Sequence, residues 1–380
     1  MGIKKKHPQG VEQFADSHNT QANATPQDHY SMARETNAPR HSKGELEQMQ
    51  SLPLRIKVSM TERRIYDWYD HWQGDVYVSF SGGKDSTVLK HIVDNMGLNI
   101  PSVFINTGLE FPEIQKFAMS QPNVTTLRPK MMFNEVIKKY GYPLISKEVS
   151  QSIMEARSAG ENGYMYKKLF GQLQDENGEK SPYCTDKWSW LYDAPFDISH
   201  KCCFVMKKNP AKKYEKETNR KPILATMASE SRLRYSRWLI NGCNAFDTKR
   251  PTSTPMAFWT EQDVLHYLKE KNVPYCSVYG DIKIKTGEED FEGQVTFGDY
   301  INDYSNCELE TTGVKRTGCM FCMFGCHLEK EPNRFQQIKE THPRQYEYCI
   351  GGGEFVDGKW QPNQKGLGIG YVLDYINVKY

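Results

Sequence analysis

The chain has 380 residues, 49 Lys+Arg against 47 Asp+Glu and a formal charge of +2, so it has no global pull toward nucleic acid or an anionic membrane, although a local basic groove stays open. Apolar residues make up only 38%, yet 17 Phe, 22 Tyr and 7 Trp suffice for a core, and the length calls for one large domain with additions or for two. No run approaches the roughly 18 apolar residues of a membrane span, and the opening MGIKKKHPQG lacks the apolar stretch of a secretion signal, so the expectation is a soluble, cytoplasmic protein with no membrane partner.

Residues 1–50 are polar and show no sustained period, which reads as a disordered extension; the irregular spacing of His7, His18, His29 and His41 favours that over a metal site. Thr61 then precedes TERRIYDWYDHW, where Ile65, Trp68, Tyr69 and Trp72 repeat at helical spacing with Thr61 as the cap. VYVSF (76–80) is a short apolar run that ends in SGGKDS and is followed by the helical pattern TVLKHIVDNM. PSVFIN (101–106) leads into TGLEFPE and a helix to about Ser120, and VTTLRP (124–129) with FNEVIKKYG (133–141) repeats the alternation. Strand–helix alternation of this kind predicts right-handed crossovers and an α/β fold with a parallel twisted sheet flanked by helices. Ligands of such sheets sit beyond the carboxyl ends of the strands, where SGGKDS and NTGLEF fall.

Residues 160–200 are irregular and aromatic and read as an insertion or substrate cap. PILATMASES (222–231) restarts a strand-then-loop pattern, and TEQDVLHYLKEKN (260–272) is a helix capped by Thr260. The segment 280–318 is polar, and the Gly-containing, then apolar, end packs back on the core. The expected organisation is therefore an extension at 1–50, a nucleotide-binding α/β domain at 51–275 and a cysteine-rich region at 276–380.

Between a strand and a helix, Ser81, Gly82, Gly83, Lys84, Asp85 and Ser86 form a phosphate-loop candidate. The glycines allow a tight turn that presents backbone N–H groups to an anion, the helix start adds partial positive charge, and Ser81, Ser86 and Lys84 supply side-chain donors. The spacing is shorter than that of the G-x-x-x-x-G-K-[ST] loop. Asp85 either helps place a metal ion or caps the helix N-terminus.

Ten cysteines stand in a chain expected in a reducing compartment, which disfavours disulfides. Cys184, Cys243, Cys276 and Cys307 are scattered and read as small buried residues. Adjacent Cys202 and Cys203 and, far downstream, Cys319 and Cys322 form a Cys-Cys…Cys-x-x-Cys set, with Cys326 as an alternative ligand beside His327. Thiolates suit zinc or an iron–sulfur cluster, and adjacent cysteines are uncommon in structural zinc sites, which leaves both groups open. Lys207, Lys208 and Arg316 stand near these thiols in the sequence and are either a solvated basic surface or partners that share such a site's field.

SGGKDS after VYVSF resembles the PP-loop of the ATP pyrophosphatase superfamily. INTGLEFPE (105–113) is similar to the strand-end motif of its phosphoadenosine phosphosulfate (PAPS) reductase branch, as is PMAFWTEQDVLHYLKEKNVPYCSVY (255–279) to that branch's Trp-Thr segment. Together these span most of 75–330 in the family's order. The resemblance implies an adenine nucleotide alpha hydrolase-like fold, with adenine and ribose near Asn106 and Thr107 and phosphates on 81–86. The tandem cysteines resemble the [4Fe-4S] ligands of the adenosine phosphosulfate (APS) reductases.

Two departures follow. In ATMASESRLR (225–234), Glu230, Ser231 and Arg234 fit the family's sulfonucleotide-gripping segment, but Met227 and Ala228 replace its paired arginines, whose forked contacts supply charge and geometry together. The family's mobile C-terminal Glu-Cys-Gly-x-His is absent; the last cysteine, Cys349 in YCIGGGEF, is either a nucleophile beside a mobile glycine run or a packed residue. The resemblance therefore implies an enzyme of sulfur metabolism that works at a nucleotide α-phosphate by adenylation. ATP, APS or PAPS would be the nucleotide, with Mg²⁺ if ATP. A sulfur-donor protein or multi-subunit complex is an implied partner, and nucleic acid an acceptor. The alternatives are a true sulfonucleotide reductase that makes sulfite and a non-catalytic nucleotide-sensing subunit.

Overall fold

Val76–Phe80 is apolar on both faces, and it forms β1, sealed between layers of helix rather than alternating in and out. The structure is a computed structural model that describes residues 38–285 and 307–380. Beside β1 lie β2 (Ser102–Ile105) and β3 (Val124–Leu127), both parallel to it, with Phe80 opposite Phe104 and Phe104 opposite Thr126. A two-residue β4 (Leu144–Ile145) stands apart from this sheet. The chain returns on the other flank of β1 with β5 (Lys221–Leu224), also parallel, and the hairpin of β6 (Asn244–Ala245) and β7 (Thr252–Ser253) closes the edge. The order β3-β2-β1-β5-β7-β6 reverses direction at β1, which creates a crevice at the carboxyl ends of β2, β1 and β5. The expected parallel α/β fold is thus observed.

Helices stand where the apolar periodicity placed them, at Lys84–Asn95, Pro112–Ser120, Phe133–Tyr140 and Glu261–Glu270. Thr260 caps the last of these, its hydroxyl accepting from the Asp263 N–H while the Asp263 carboxylate accepts from the Thr260 N–H. One cap expectation is corrected. The helix expected from Thr61 begins at Leu54, after Pro53, and runs to His71. Thr61 is buried inside it, donates to the Lys57 carbonyl at 2.8 Å and accepts from Trp259 Nε1 at 2.9 Å. The 1–50 boundary also shifts, because Lys43–Gln50 is a helix with a Ser42/Glu45 capping box; residues 1–37, with His7, His18 and His29, lie outside the described residues.

Two large apolar cores result, besides a small cluster of Phe80, Phe104 and Ala118 on the sheet. One joins the sheet to the helices around it through Ile65, Trp68, Val78, Leu89, Trp259 and Leu265. The other joins the 160–200 segment to the end of the chain through Leu169, Leu191, Phe196, Phe335, Val372 and Leu373. The expected division at 275 cuts across both: Cys276 and Tyr279 pack in the second core, Ile282 and Leu309 in the first. β8 (Ile282–Ile284) pairs with β9 (Leu309–Thr311) across a stretch outside the described residues, and β10 (Met323–Phe324) pairs in parallel with β4. β11 (Glu354–Val356) and β12 (Lys359–Gln361) form a surface hairpin. No helix among the described residues is long and apolar enough to cross a membrane.

Candidate functional site

The phosphate loop leaves β1 at Ser81 and enters the helix at Lys84. Gly82 has φ +74°, and a Cβ there would meet Ile114 Cγ2 at 3.0 Å, so both its conformation and its space require glycine. Ser86 ties the loop to itself: its hydroxyl takes the Ser81 N–H at 3.1 Å, lies 2.9 Å from Ser81 Oγ and donates to the Gly83 carbonyl at 3.0 Å. Thr87 Oγ1 donates to the same carbonyl. The turn is therefore formed by its own side chains, with the helix N-terminus behind it.

Lys84 is only 5% exposed. Its ammonium pairs with the Glu261 carboxylate, donates to the Lys315 carbonyl at 2.8 Å and lies over the Tyr279 ring, 5.6 Å from its centroid. Its backbone N–H donates to Tyr279 Oη at 3.2 Å, and that hydroxyl lies 2.6 Å from Thr317 Oγ1. Asp85 Oδ1 is buried without a hydrogen-bond partner. Burial pushes its carboxyl up to about 6, with Lys84 pulling it down, Glu230 and Glu261 adding to the rise and Arg316 opposing it. Of the two sequence readings of Asp85, an orphaned buried oxygen beside the loop fits one that awaits a cation.

Asn106 and Thr107 lie just past the end of β2, as the strand pattern required. Thr107 is held by Glu110, whose carboxylate accepts from both its N–H and its hydroxyl, while Asn106 Oδ1 accepts from the Gly108 N–H at 3.0 Å. Past β5, Glu230 accepts from the Met227 N–H at 2.8 Å and pairs with Arg234, and Ser231 caps the helix Arg232–Asn241. Glu230 acts on Asp85, so this segment borders the loop, but its one fitting arginine is already engaged by a carboxylate.

The thiols come from two irregular segments. Cys202 and Cys203 precede a single π-helical turn, Phe204–Lys208, and their sulfurs are 3.9 Å apart. Cys319 and Cys322 sit in the turn before β10, which is pinned by Met320 N–H to the Leu109 carbonyl and by Arg334 Nη1 to the Cys322 carbonyl, each 2.8 Å. Cys202 donates to Cys203, so its own thiol is pushed far up and that of Cys203 down, Lys147, Lys207 and Lys208 helping the latter. Burial pushes Cys319 up to about 11, with Lys207 pulling the other way and Cys322 and Cys203 adding to the rise. Burial opposes the charge on Lys207, yet Cys319 and Glu110 outweigh it and hold the ammonium protonated. Cys202, Cys203, Cys319 and Cys322 thus share one electrostatic neighbourhood. Cys326 is buried beside Cys322, which adds to the rise of its thiol, and donates to the Met323 carbonyl at 3.1 Å. Among the described residues no three metal-binding side chains converge on one point, but the donor set, four soft thiols from two segments beside a lysine, fits a thiolate-held cluster.

One correction concerns Cys349. It is 1% exposed, at the buried face of the helix Pro343–Ile350, and burial pushes its thiol well up. A thiol so enclosed and neutral is a packing residue, not a nucleophile. Arg316 also differs from expectation, because it acts on Asp85 in the loop. The residues missed from sequence are Tyr279, Glu261, Lys315 and Thr317, which close over Gly83 and Lys84. The signal for them was thin: Tyr279 and Glu261 end and begin segments already noted, while Lys315–Thr317 lies in the polar stretch that showed no pattern.

The model of the phosphoadenosine phosphosulfate reductase domain matches residues 75–151 and 151–323. The chain belongs to that family. It is 27% identical over 219 residues to an uncharacterized protein of Methanocaldococcus jannaschii, which covers 57% of this chain and 35% of that protein. A second uncharacterized protein of the same organism is 26% identical over 183 residues, 40% of this chain and 43% of its own length. The chain therefore spans less than half the length of these relatives. Among solved structures, the phosphate complex of PAPS reductase from Candida auris covers 62% of this chain and 90% of its own, at 16% identity and a TM-score of 0.33, a likeness too slight to carry an argument.

Proposed function

We propose that this member of the PAPS reductase family binds an adenine nucleotide with its phosphates on Ser81–Ser86 and its adenine and ribose near Asn106 and Thr107. It then acts in sulfur transfer by chemistry at the nucleotide α-phosphate. The observation that carries this reading is the buried Lys84 at the crevice where the sheet reverses, in a turn that its own serines hold open for an anion. In the ATP form of the reaction, an acceptor heteroatom forms a bond to the α-phosphorus, the α–β bridging bond breaks, and pyrophosphate leaves with the charge; a sulfur nucleophile, or water where no donor is present, then bonds to the activated centre and AMP leaves. Lys84 would neutralise that developing charge, and Asp85, with its orphaned oxygen, would help hold Mg²⁺.

Cys202, Cys203, Cys319 and Cys322 would hold a [4Fe-4S] cluster, which supplies a fixed charge next to the nucleotide site. The chain itself joins the two sites twice. Thr107 binds Glu110, Glu110 lies 3.6 Å from Lys207, and Lys207 faces Cys319. On the other side, Lys315 and Thr317 contact the loop two to four residues before Cys319. Reductive release of sulfite is the weaker reading, since Met227 and Ala228 replace the arginines and Cys349 is enclosed.

Protein purified without oxygen is incubated separately with Mg-ATP, APS and PAPS in the presence of a thiol reductant. Pyrophosphate with AMP from ATP is the expected result. Sulfite from APS or PAPS overturns it in favour of the reductase.

A further inference from the structure

Beside Cys203, on the surface, is a cavity of about 210 Å³ lined by Lys147, His200, Lys201, Cys203, Phe204 and Lys208. The neighbouring lysines of these segments have carboxylates: Lys168 pairs with Glu148, Lys207 with Glu110 and Lys213 with Glu217. Among the described residues, Lys147, Lys201 and Lys208 have none in ion-pair range. Glu148, next to Lys147, is turned to Lys168. Glu155, the nearby acid felt by His200, accepts from Gln151 Nε2 at 2.8 Å. Three lysines without carboxylate partners therefore line one small cavity, which concentrates positive charge there and favours an anion. His200 also lines the cavity, and its Nδ1 is buried without a hydrogen-bond partner. The volume suits a single tetrahedral anion with its water, and the mouth is open enough to admit it without movement of the core.

We propose that this cavity is an oxyanion site that takes a small tetrahedral anion of the phosphate or sulfate class and holds it against the outer side of Cys203. It is separate from the phosphate loop and does not depend on a cluster at the cysteines. Its position gives the molecule a second anion-binding face, so that the thiol segment lies between the nucleotide on one side and an anionic co-substrate on the other.

The test uses the full chain carrying Lys84→Ala, so that the phosphate loop does not contribute, and equilibrium dialysis against radiolabelled inorganic phosphate, then sulfate. One anion bound per chain is expected, weakened about tenfold by Lys201→Gln or by Lys208→Gln, as loss of one charged hydrogen bond requires. Acetylation footprinting by mass spectrometry keeps the test independent of the variants' folding: phosphate should slow modification of Lys147, Lys201 and Lys208 severalfold and leave Lys213 unchanged. Absence of binding, binding indifferent to both substitutions, or binding of a single-stranded oligonucleotide without either small anion overturns the proposal. Should the unmodified chain and Lys84→Ala bind equal amounts of phosphate, the loop reading fails instead, while the effect of Lys201→Gln still decides this site.

Discussion

The phosphate loop and the cysteine segment lie within one turn of chain of each other at Lys315–Cys319, yet they are built in opposite ways. The loop hangs from a buried strand and a twelve-residue helix, and hydrogen bonds among Ser81, Gly83 and Ser86 set its shape before any ligand arrives. The thiols stand on a π-helical turn and on a turn stapled to a two-residue strand, with a lysine placed between them. A site built on regular elements is preorganised by the backbone, whereas a site built on irregular ones depends on what fills it. The loop should therefore tolerate loss of the thiols better than the thiol segment tolerates loss of its occupant.

The strongest break in that comparison is Lys84→Ala. Removal of the buried cation should lower nucleotide turnover at least hundredfold, measured by product chromatography, while any colour of the protein is unchanged. Undiminished turnover would remove the loop from the mechanism. The reciprocal change, Cys319→Ser with Cys322→Ser, should abolish the absorbance near ~400 nm of thiolate-ligated iron in protein purified without oxygen. Nucleotide binding, followed by equilibrium dialysis, should persist within a fewfold. Cys326→Ser should keep the colour, and its bleaching would move Cys326 into the ligand set.

How much of this was legible in the sequence follows the same division. SGGKDS stands between a strand and a helix with ordinary propensities, so its position and turn could be read locally, and so could Thr260 as a cap. Thr61 misled because a polar residue before an aromatic period looks like a start, whereas Pro53 had already begun the helix and Trp259, far away in sequence, takes the hydroxyl. Cys202 and Cys319 could be paired as chemistry but not placed, since the Cys319–Cys322 turn is anchored by β4–β10 pairing between runs of two residues, too short to leave a period. Cys349 lost its candidate role for a similar reason: the core that encloses it is assembled from segments more than 150 residues apart. The Tyr279–Thr317 cover was invisible because it is made across the polar stretch.

A finer test addresses Asp85. Its carboxyl is raised from the usual range to about 6 mainly by burial. The sign is that of a group easier to protonate in the fold: its neutral form contributes stability below about pH 4, and that contribution is lost as pH rises through about 6. Asp85→Asn in chelator should therefore raise the melting temperature above pH 7, by an amount corresponding to at most about 3 kcal/mol, and give no gain near pH 4. The same variant should lose turnover with Mg²⁺. A stabilising substitution that costs activity would mark Asp85 as held against its preference for a ligand.

The smallest expected effect is that of Glu261→Gln, which asks whether Glu261 competes for Lys84 or aims it. Glu261 is about half exposed on its side chain, so its pair with Lys84 is screened and its loss should change stability by less than about 1 kcal/mol. The Lys315 carbonyl would still hold the ammonium near the loop. If the carboxylate competes with the nucleotide for Lys84, the variant should bind nucleotide a fewfold more tightly with kcat unchanged. If it aims Lys84 at the phosphates instead, kcat should fall while binding stays the same. The split between KM and kcat distinguishes these, and it would show whether the loop is preorganised in its charge as well as in its backbone.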